Sequence, residues 1–236
     1  MKVRMYNVGF GDCFCLRDRK KSLLVDFGTN NSRIEGRPRR EIFDVIISDL
    51  STIKSKNLLL THFHMDHLSG LLYMMKKKDI SVDFGKIYLP DVFSKKEMSR
   101  TLVLLLLADL LKESGLPSRQ VSLFALVDAL LENKQNVELL SRGKLFENKY
   151  QALWPDTDVI RKETDEVYNR ICEDGKFKEV MDVLLEFAEK LRLIVWSMTA
   201  EGNKPAETVE KETDLTASEL TEQPEVRQKI IRAYVY

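Results

Sequence analysis

The 236 residues include three histidines, all inside the stretch Thr61-His62-Phe63-His64-Met65-Asp66-His67-Leu68-Ser69-Gly70. Histidines used for packing or capping are scattered, whereas these gather around an aspartate. Neutral imidazole is the commonest protein ligand for a borderline metal ion, and a carboxylate is its ordinary companion. In extended chain, residues i and i+2 point to the same side, so His62 and His64 can meet one ion. Asp66 and His67 follow where the chain turns toward a helix, which aims them at a neighbouring position, and the small Ser69 and Gly70 let that helix begin close by. Four such ligands this close suit two adjacent ions better than one tetrahedral site. Paired ions about 3.5–4 Å apart ionise a water and polarise the substrate oxygen that it attacks.

The flanking segments must hold these ligands. Asn57-Leu58-Leu59-Leu60-Thr61 predicts a short apolar strand running straight into the histidines. Leu68 to Lys78 predicts a helix with Leu71, Leu72 and Met75 inward and lysines at its C-terminal end, where they suit the helix dipole. Upstream, Lys2 to Asn7 alternates as a strand, and the two glycines of Val8-Gly9-Phe10-Gly11-Asp12 allow a tight turn. Cys13 to Leu16 and Ser22 to Gly28 read as two further strands about a charged turn, an antiparallel meander with one covered face. Thr29 to Arg40 is a polar loop. Glu41 to Ile53 carries Ile42, Phe43, Ile46, Ile47 and Leu50 at helical spacing. Lys86 to Leu89 is a strand stopped by Pro90.

From Ser94 the character changes. Lys95 to Glu113 and Ser118 to Asn133 predict two amphipathic helices, a hairpin laid over or inserted into the sheet domain. Val137 to Leu140 and Lys144 to Trp154 predict strands with Gly143 at their turn. Asp158 to Thr199 predicts helix broken at Asp174-Gly175. Glu201 to Glu225, rich in Glu, Thr, Lys and Pro, predicts a flexible acidic linker, and Val226 to Tyr236 a last helix or strand. The expected organisation is a domain over 1–160 with a helical insert at about 94–135, then a helical segment over 161–236.

Composition narrows the function classes. Lys+Arg and Asp+Glu both total 37, so whole-chain charge argues for neither a nucleic-acid partner nor a membrane surface. The longest apolar run, Leu102 to Ala108, falls far short of the roughly 20 residues that cross a bilayer. The start has no apolar signal-peptide core, and three cysteines suggest no disulfide framework, so a reducing, cytoplasmic setting is expected. Cys13 and Cys15 lack partner ligands and read as packing. Arg37 to Arg40 is a basic loop that can meet a phosphate-bearing substrate, though a solvated loop is the plainer account. Asp12 reads as a turn residue.

His62-x-His64-x-Asp66-His67 resembles the metal-binding motif of the metallo-β-lactamase fold superfamily. Val8-Gly9-Phe10-Gly11-Asp12, Leu24-Val25-Asp26-Phe27-Gly28 and the segment Gln151-Ala152-Leu153-Trp154-Pro155, read as a strand, are similar to one branch, the hydrolase domain of DNA-uptake competence proteins. The resemblance implies an α/β fold, an αββα sandwich, with two divalent ions (zinc, or manganese or iron). His62 and His64 would bind one ion and Asp66 and His67 the other, with Asp66 the candidate catalytic residue and Asp26 a supporting carboxylate. It implies a metal-dependent hydrolase of esters, amides or phosphodiesters, with phosphodiesters in nucleic acid favoured; the alternative is a catalytically incomplete scaffold or partner-binding module. Further family ligands belong to the second half of the fold, yet no histidine follows His67. The chain is then expected to be a fragment lacking that half, or to complete its site with Asp91 or Asp156.

Overall fold

The computed structural model describes residues 1–18, 21–77, 83–113, 123–173 and 175–200. In chain order, β1 (Lys2–Met5), β2 (Phe14–Asp18) and β3 (Lys21–Val25) are followed by the short β4 (Arg33–Ile34) and β5 (Arg37–Pro38), then α1 (Arg39–Ser51), β6 (Ser55–Leu59), α2 (Met65–Met75) and β7 (Ile87–Pro90). There follow α3 (Ser99–Glu113), α4 (Leu123–Glu132), β8 (Val137–Leu140), β9 (Leu145–Phe146), β10 (Tyr150–Gln151), α5 (Thr157–Glu173) and α6 (Gly175–Ser197). The architecture is mixed α/β around a six-stranded sheet of order β1-β2-β3-β6-β7-β8, consistent with the expected sandwich class. The chain divides into two compact units, Met1–Leu89 with Ala129–Glu138, and Pro90–Asp128 with the chain from Leu139.

The first unit positions the histidines. β1, β2 and β3 form the expected antiparallel meander, after which β3 pairs with β6, and β6 with β7, in parallel. Parallel neighbours need a long crossover, and α1 and α2 provide it for the two steps. The register sets Val25 beside Leu59, so β3 and β6 end level and the residues after each emerge side by side. Ligand sites in parallel sheets lie at such carboxyl ends.

Helical spacing in α1 buries Ile42, Phe43, Ile46, Ile47 and Leu50, and α2 buries Leu68, Leu71, Leu72 and Met74. Met74 rather than Met75 is inward, and the helix begins at Met65, three residues before the expected start, so Asp66 and His67 are already helical. Phe27, fully buried, meets Phe43 edge-on with ring centroids 5.2 Å apart.

In the second unit α3 packs against α5 and α6, with Leu102, Val103 and Leu106 of α3 and Met181, Leu184, Ala188 and Val195 of α6 buried. α5 ends at Glu173 and α6 starts at Gly175, and Asp174 of the expected break lies outside the described residues. The expected strand Lys144–Trp154 is instead the hairpin of β9 and β10, because Glu147 and Asn148 turn the chain at φ 52° and 57°. Only Gln151 of the segment 151–155 is in a strand; Gly143 N–H donates to Ala152 O and Arg142 N–H to Pro155 O, while Leu153 and Trp154 are exposed. Residues 114–122 and the expected linker 201–225 with its following segment 226–236 lie outside the described residues. Among the described residues, no helix is long and apolar enough to cross a membrane.

Gly70 tests how tightly α2 is seated. A Cβ there would stand 2.6 Å from the Phe27 ring. Alanine gains up to about 1 kcal/mol of helix propensity, but overpacking a closed core costs about 1–3 kcal/mol. The collision should win, and Gly70→Ala should lower stability in urea denaturation; a more stable variant would contradict this packing.

Candidate metal centre

β3 hands on to Asp26, whose N–H continues the ladder to Leu59 O at 2.8 Å. Asp26 then takes φ 54°, a left-handed conformation that short polar side chains tolerate better than most, and the chain bends away from the sheet. Its carboxylate is turned toward the end of β6. Oδ1 accepts the Thr61 N–H at 2.8 Å, and Oδ2 accepts the Thr61 hydroxyl at 2.7 Å and His67 Nδ1–H at 2.9 Å. Asp26 is only 2% exposed, so these three donors replace the water it has lost.

The same bonds orient both imidazoles. With Nδ1–H of His67 donated to Asp26, Nε2 keeps its lone pair free, the usual way a carboxylate fixes a ligand's tautomer. The Thr61 hydroxyl, having given its proton to Asp26, can only accept from His62 Nδ1, 3.0 Å away, which leaves His62 Nε2 free as well. The His62 and His67 rings lie 3.7 Å apart between centroids, and Asp66 Oδ2 is 3.6 Å from His67 Nε2. One ligand atom each from His62, Asp66 and His67 falls within 4.8 Å of the others, a donor set that could hold a divalent ion.

His64 stands outside that group, its ring 4.7 Å from that of His62 between centroids. It occupies the position before α2 in extended conformation but caps no N–H with its side chain. His62, Asp66 and His67 thus stand closest together, with His64 beside His62.

Electrostatics separate the two imidazoles of the group. Burial and the neighbouring His67 and His64 hold His62 below the usual histidine range, outweighing Asp26 and Asp66. Burial pushes His67 the same way, but the hydrogen bond to Asp26 and the charges of Asp26, Asp66 and Asp12 prevail and hold it above that range.

Close backbone approach makes the cluster possible. Asp12 N–H donates to Asp66 O, Phe27 N–H to His67 O, and Gly70 and Leu71 N–H to Phe27 O, so both loops are stitched to the first turns of α2. A Cβ on Gly28 would lie 2.6 Å from Leu68 N, and one on Gly11 2.3 Å from Gly28 O; no other residue fits without a shift. Ser69 adds a reciprocal pair, its Oγ accepting Thr29 N–H at 2.9 Å and donating to Thr29 O at 3.0 Å.

Sequence reasoning missed Thr61 and undervalued Asp12. Asp12 Oδ2 lies 3.6 Å from His67 Nδ1 and forms a second carboxylate group with Asp26 and His67. Its signal was the two-glycine turn that precedes it. Asp91 accepts from Ser94 N–H and Oγ–H, and Asp156 pairs with Arg142 and accepts the N–H groups of Asp158 and Val159, so both are engaged within the second unit. Cys13 and Cys15 are buried as expected, and burial holds the Cys13 thiol far above its ordinary range, against a ligand role.

Residues 6–91 match the family model described as the Metallo-beta-lactamase superfamily. A stretch of 77 residues is 32% identical to Endoribonuclease YSH1 of Mycosarcoma maydis, covering 33% of this chain and 8% of that protein. The chain thus spans a small part of that relative. No solved structure matches. The matched interval contains Asp12, Asp26, Thr61 and the whole histidine stretch, so the similarity to the Metallo-beta-lactamase superfamily covers the part of the molecule that carries the candidate site.

Proposed function

We propose that this chain is a metal-dependent hydrolase whose substrates are phosphodiesters, with simple esters and amides as the wider class. The observation that carries this is the buried Asp26, which through His67 directly and through Thr61 to His62 leaves two Nε2 lone pairs beside the Asp66 carboxylate. His62, Asp66 and His67 would hold one divalent ion, zinc or else manganese or iron, and His64 would serve a second. Such ions supply Lewis acidity, lowering the pKa of a water and polarising the phosphoryl oxygen. Asp66 accepts the proton of a water held against it, and Asp26 keeps His67 from rotating. The matched superfamily and the endoribonuclease relative support hydrolysis and, within it, nucleic acid. Three free cysteines accord with a reducing, cytoplasmic setting.

The test is elemental analysis of purified chain together with hydrolysis of bis(p-nitrophenyl) phosphate in zinc or manganese. Bound metal and turnover are expected, and His62→Ala or Asp66→Ala should lower both, the turnover by roughly 10²–10⁴-fold. Metal uptake without turnover on any ester, amide or phosphodiester would point instead to a catalytically incomplete scaffold. No uptake would end the hydrolase reading.

Asp26→Asn removes a charge while keeping the shape. It should weaken metal binding by about 10–100-fold with the circular dichroism spectrum unchanged. Equal affinity in a metal titration would show that the imidazoles are oriented by something else.

A further inference from the structure

Among the described residues, nothing covers the apolar ring of Phe10. It is 72% exposed, at the tip of the loop between β1 and β2, two residues before Asp12, whose carboxylate lies 3.6 Å from His67 Nδ1. Two residues span about 7 Å between Cα atoms, so the ring stands at the margin of the metal centre. It is not there by looseness. Phe10 N–H donates to Asn31 Oδ1 at 2.8 Å, and its carbonyl accepts Asn30 N–H at 2.9 Å and the Thr29 hydroxyl at 3.2 Å. A held backbone presenting a bare aromatic face is a platform for a flat partner.

Beside it sits a basic hairpin. β4 and β5 are joined by Glu35 and Gly36 at φ 49° and 81°, the pair of left-handed residues that a type I′ turn requires. Arg33, Arg37, Arg39 and Arg40 are all exposed. Arg33 steadies the turn by donating to Gly36 O at 3.1 Å, and Glu35 accepts from Asn7 Nδ2. Among the described residues, no carboxylate pairs with Arg37, Arg39 or Arg40. Arg39 and Arg40 open α1, where the helix dipole disfavours cations, so stability does not explain their placement. The hairpin is braced to the Phe10 loop: Gly9, at φ 71°, lies so close that a Cβ would meet Asn31 and Ile34 at 3.2–3.3 Å.

We infer that the Phe10 loop and the β4–β5 hairpin form one rail for single-stranded nucleic acid, Phe10 stacking a base and Arg37, Arg39 and Arg40 holding backbone phosphates beside the metal centre. A duplex buries its base faces, whereas a single strand can splay one onto an aromatic ring while cations track its backbone. This deepens the phosphodiester reading and rests on it for its catalytic meaning.

The test measures fluorescence anisotropy of the full chain with labelled 12-nucleotide single strands of RNA and DNA and with the RNA duplex, in EDTA so that no cleavage intervenes. Both single strands should bind more tightly than the duplex, with any RNA preference reporting a 2′-hydroxyl contact. Phe10→Ala should weaken single-strand binding about tenfold, Phe10→Trp should restore it and Phe10→Leu should not, which separates stacking from mere apolarity. Replacing Arg37, Arg39 and Arg40 together with alanine should reduce the slope of log affinity against log salt by about 2. Thermal unfolding of each variant checks the fold. Binding insensitive to Phe10→Ala and to the arginines, or duplex bound as well as single strand, overturns the rail. Wild-type turnover of bis(p-nitrophenyl) phosphate judges the hydrolase separately: turnover without oligonucleotide binding removes the rail alone, and binding without turnover keeps the rail while removing the hydrolase.

Discussion

A carboxylate with almost no solvent exposure is the constraint on which the rest of the first unit depends. Taking an ion such as Asp26 out of water costs several kcal/mol even after relaxation. Hydrogen bonds to a charged group contribute about 1.5–3 kcal/mol each, so three of them can offset that cost. The donors are the amide and hydroxyl of Thr61 and the ring of His67. Asp26 is thus stable where it is only if the end of β6 and the first turn of α2 are both in place. The candidate ligand cluster and the local fold are held by the same bonds.

That arrangement demands unusual closeness between three pieces of backbone. Loops 9–12 and 26–29 are both bonded to the opening turns of α2, which brings Gly11, Gly28 and Gly70 into contacts a side chain would block. Parallel pairing supplies the alignment, since β3 and β6 end at the same level and place Asp26 beside Thr61. Side-chain chemistry and sheet register are separate causes, and the site needs both. The first of these loops also carries the exposed Phe10 ring, while Arg37, Arg39 and Arg40 follow in β5 and the start of α1.

The second unit is built on other physics. Its helices α3, α5 and α6 bury long aliphatic side chains against one another, with polar contacts at the margins. Arg100 bonds Asp165 at 2.7 Å and lies over the Tyr168 ring, and Thr101 bonds Thr164. These half-exposed contacts align helices and contribute modestly to stability.

Much of this was legible in the residues alone. The clustering of candidate ligands was, because all three histidines gather around one aspartate, and so were the meander and α1, because apolar periodicity and glycine report local conformation. Asp26 was legible as a supporting carboxylate only through family resemblance. Tertiary structure decided what distance along the chain conceals. The closeness of Asp66 and His67 to His62 depends on α2 starting at Met65, and the contacts of Thr61 and Asp12 reach across 35 and 54 or more positions. Spacing states which residues share a side of one strand or helix. Only the packing of several segments, here the parallel alignment of β3 with β6 and the seating of glycines against α2, determines which donors converge on one point.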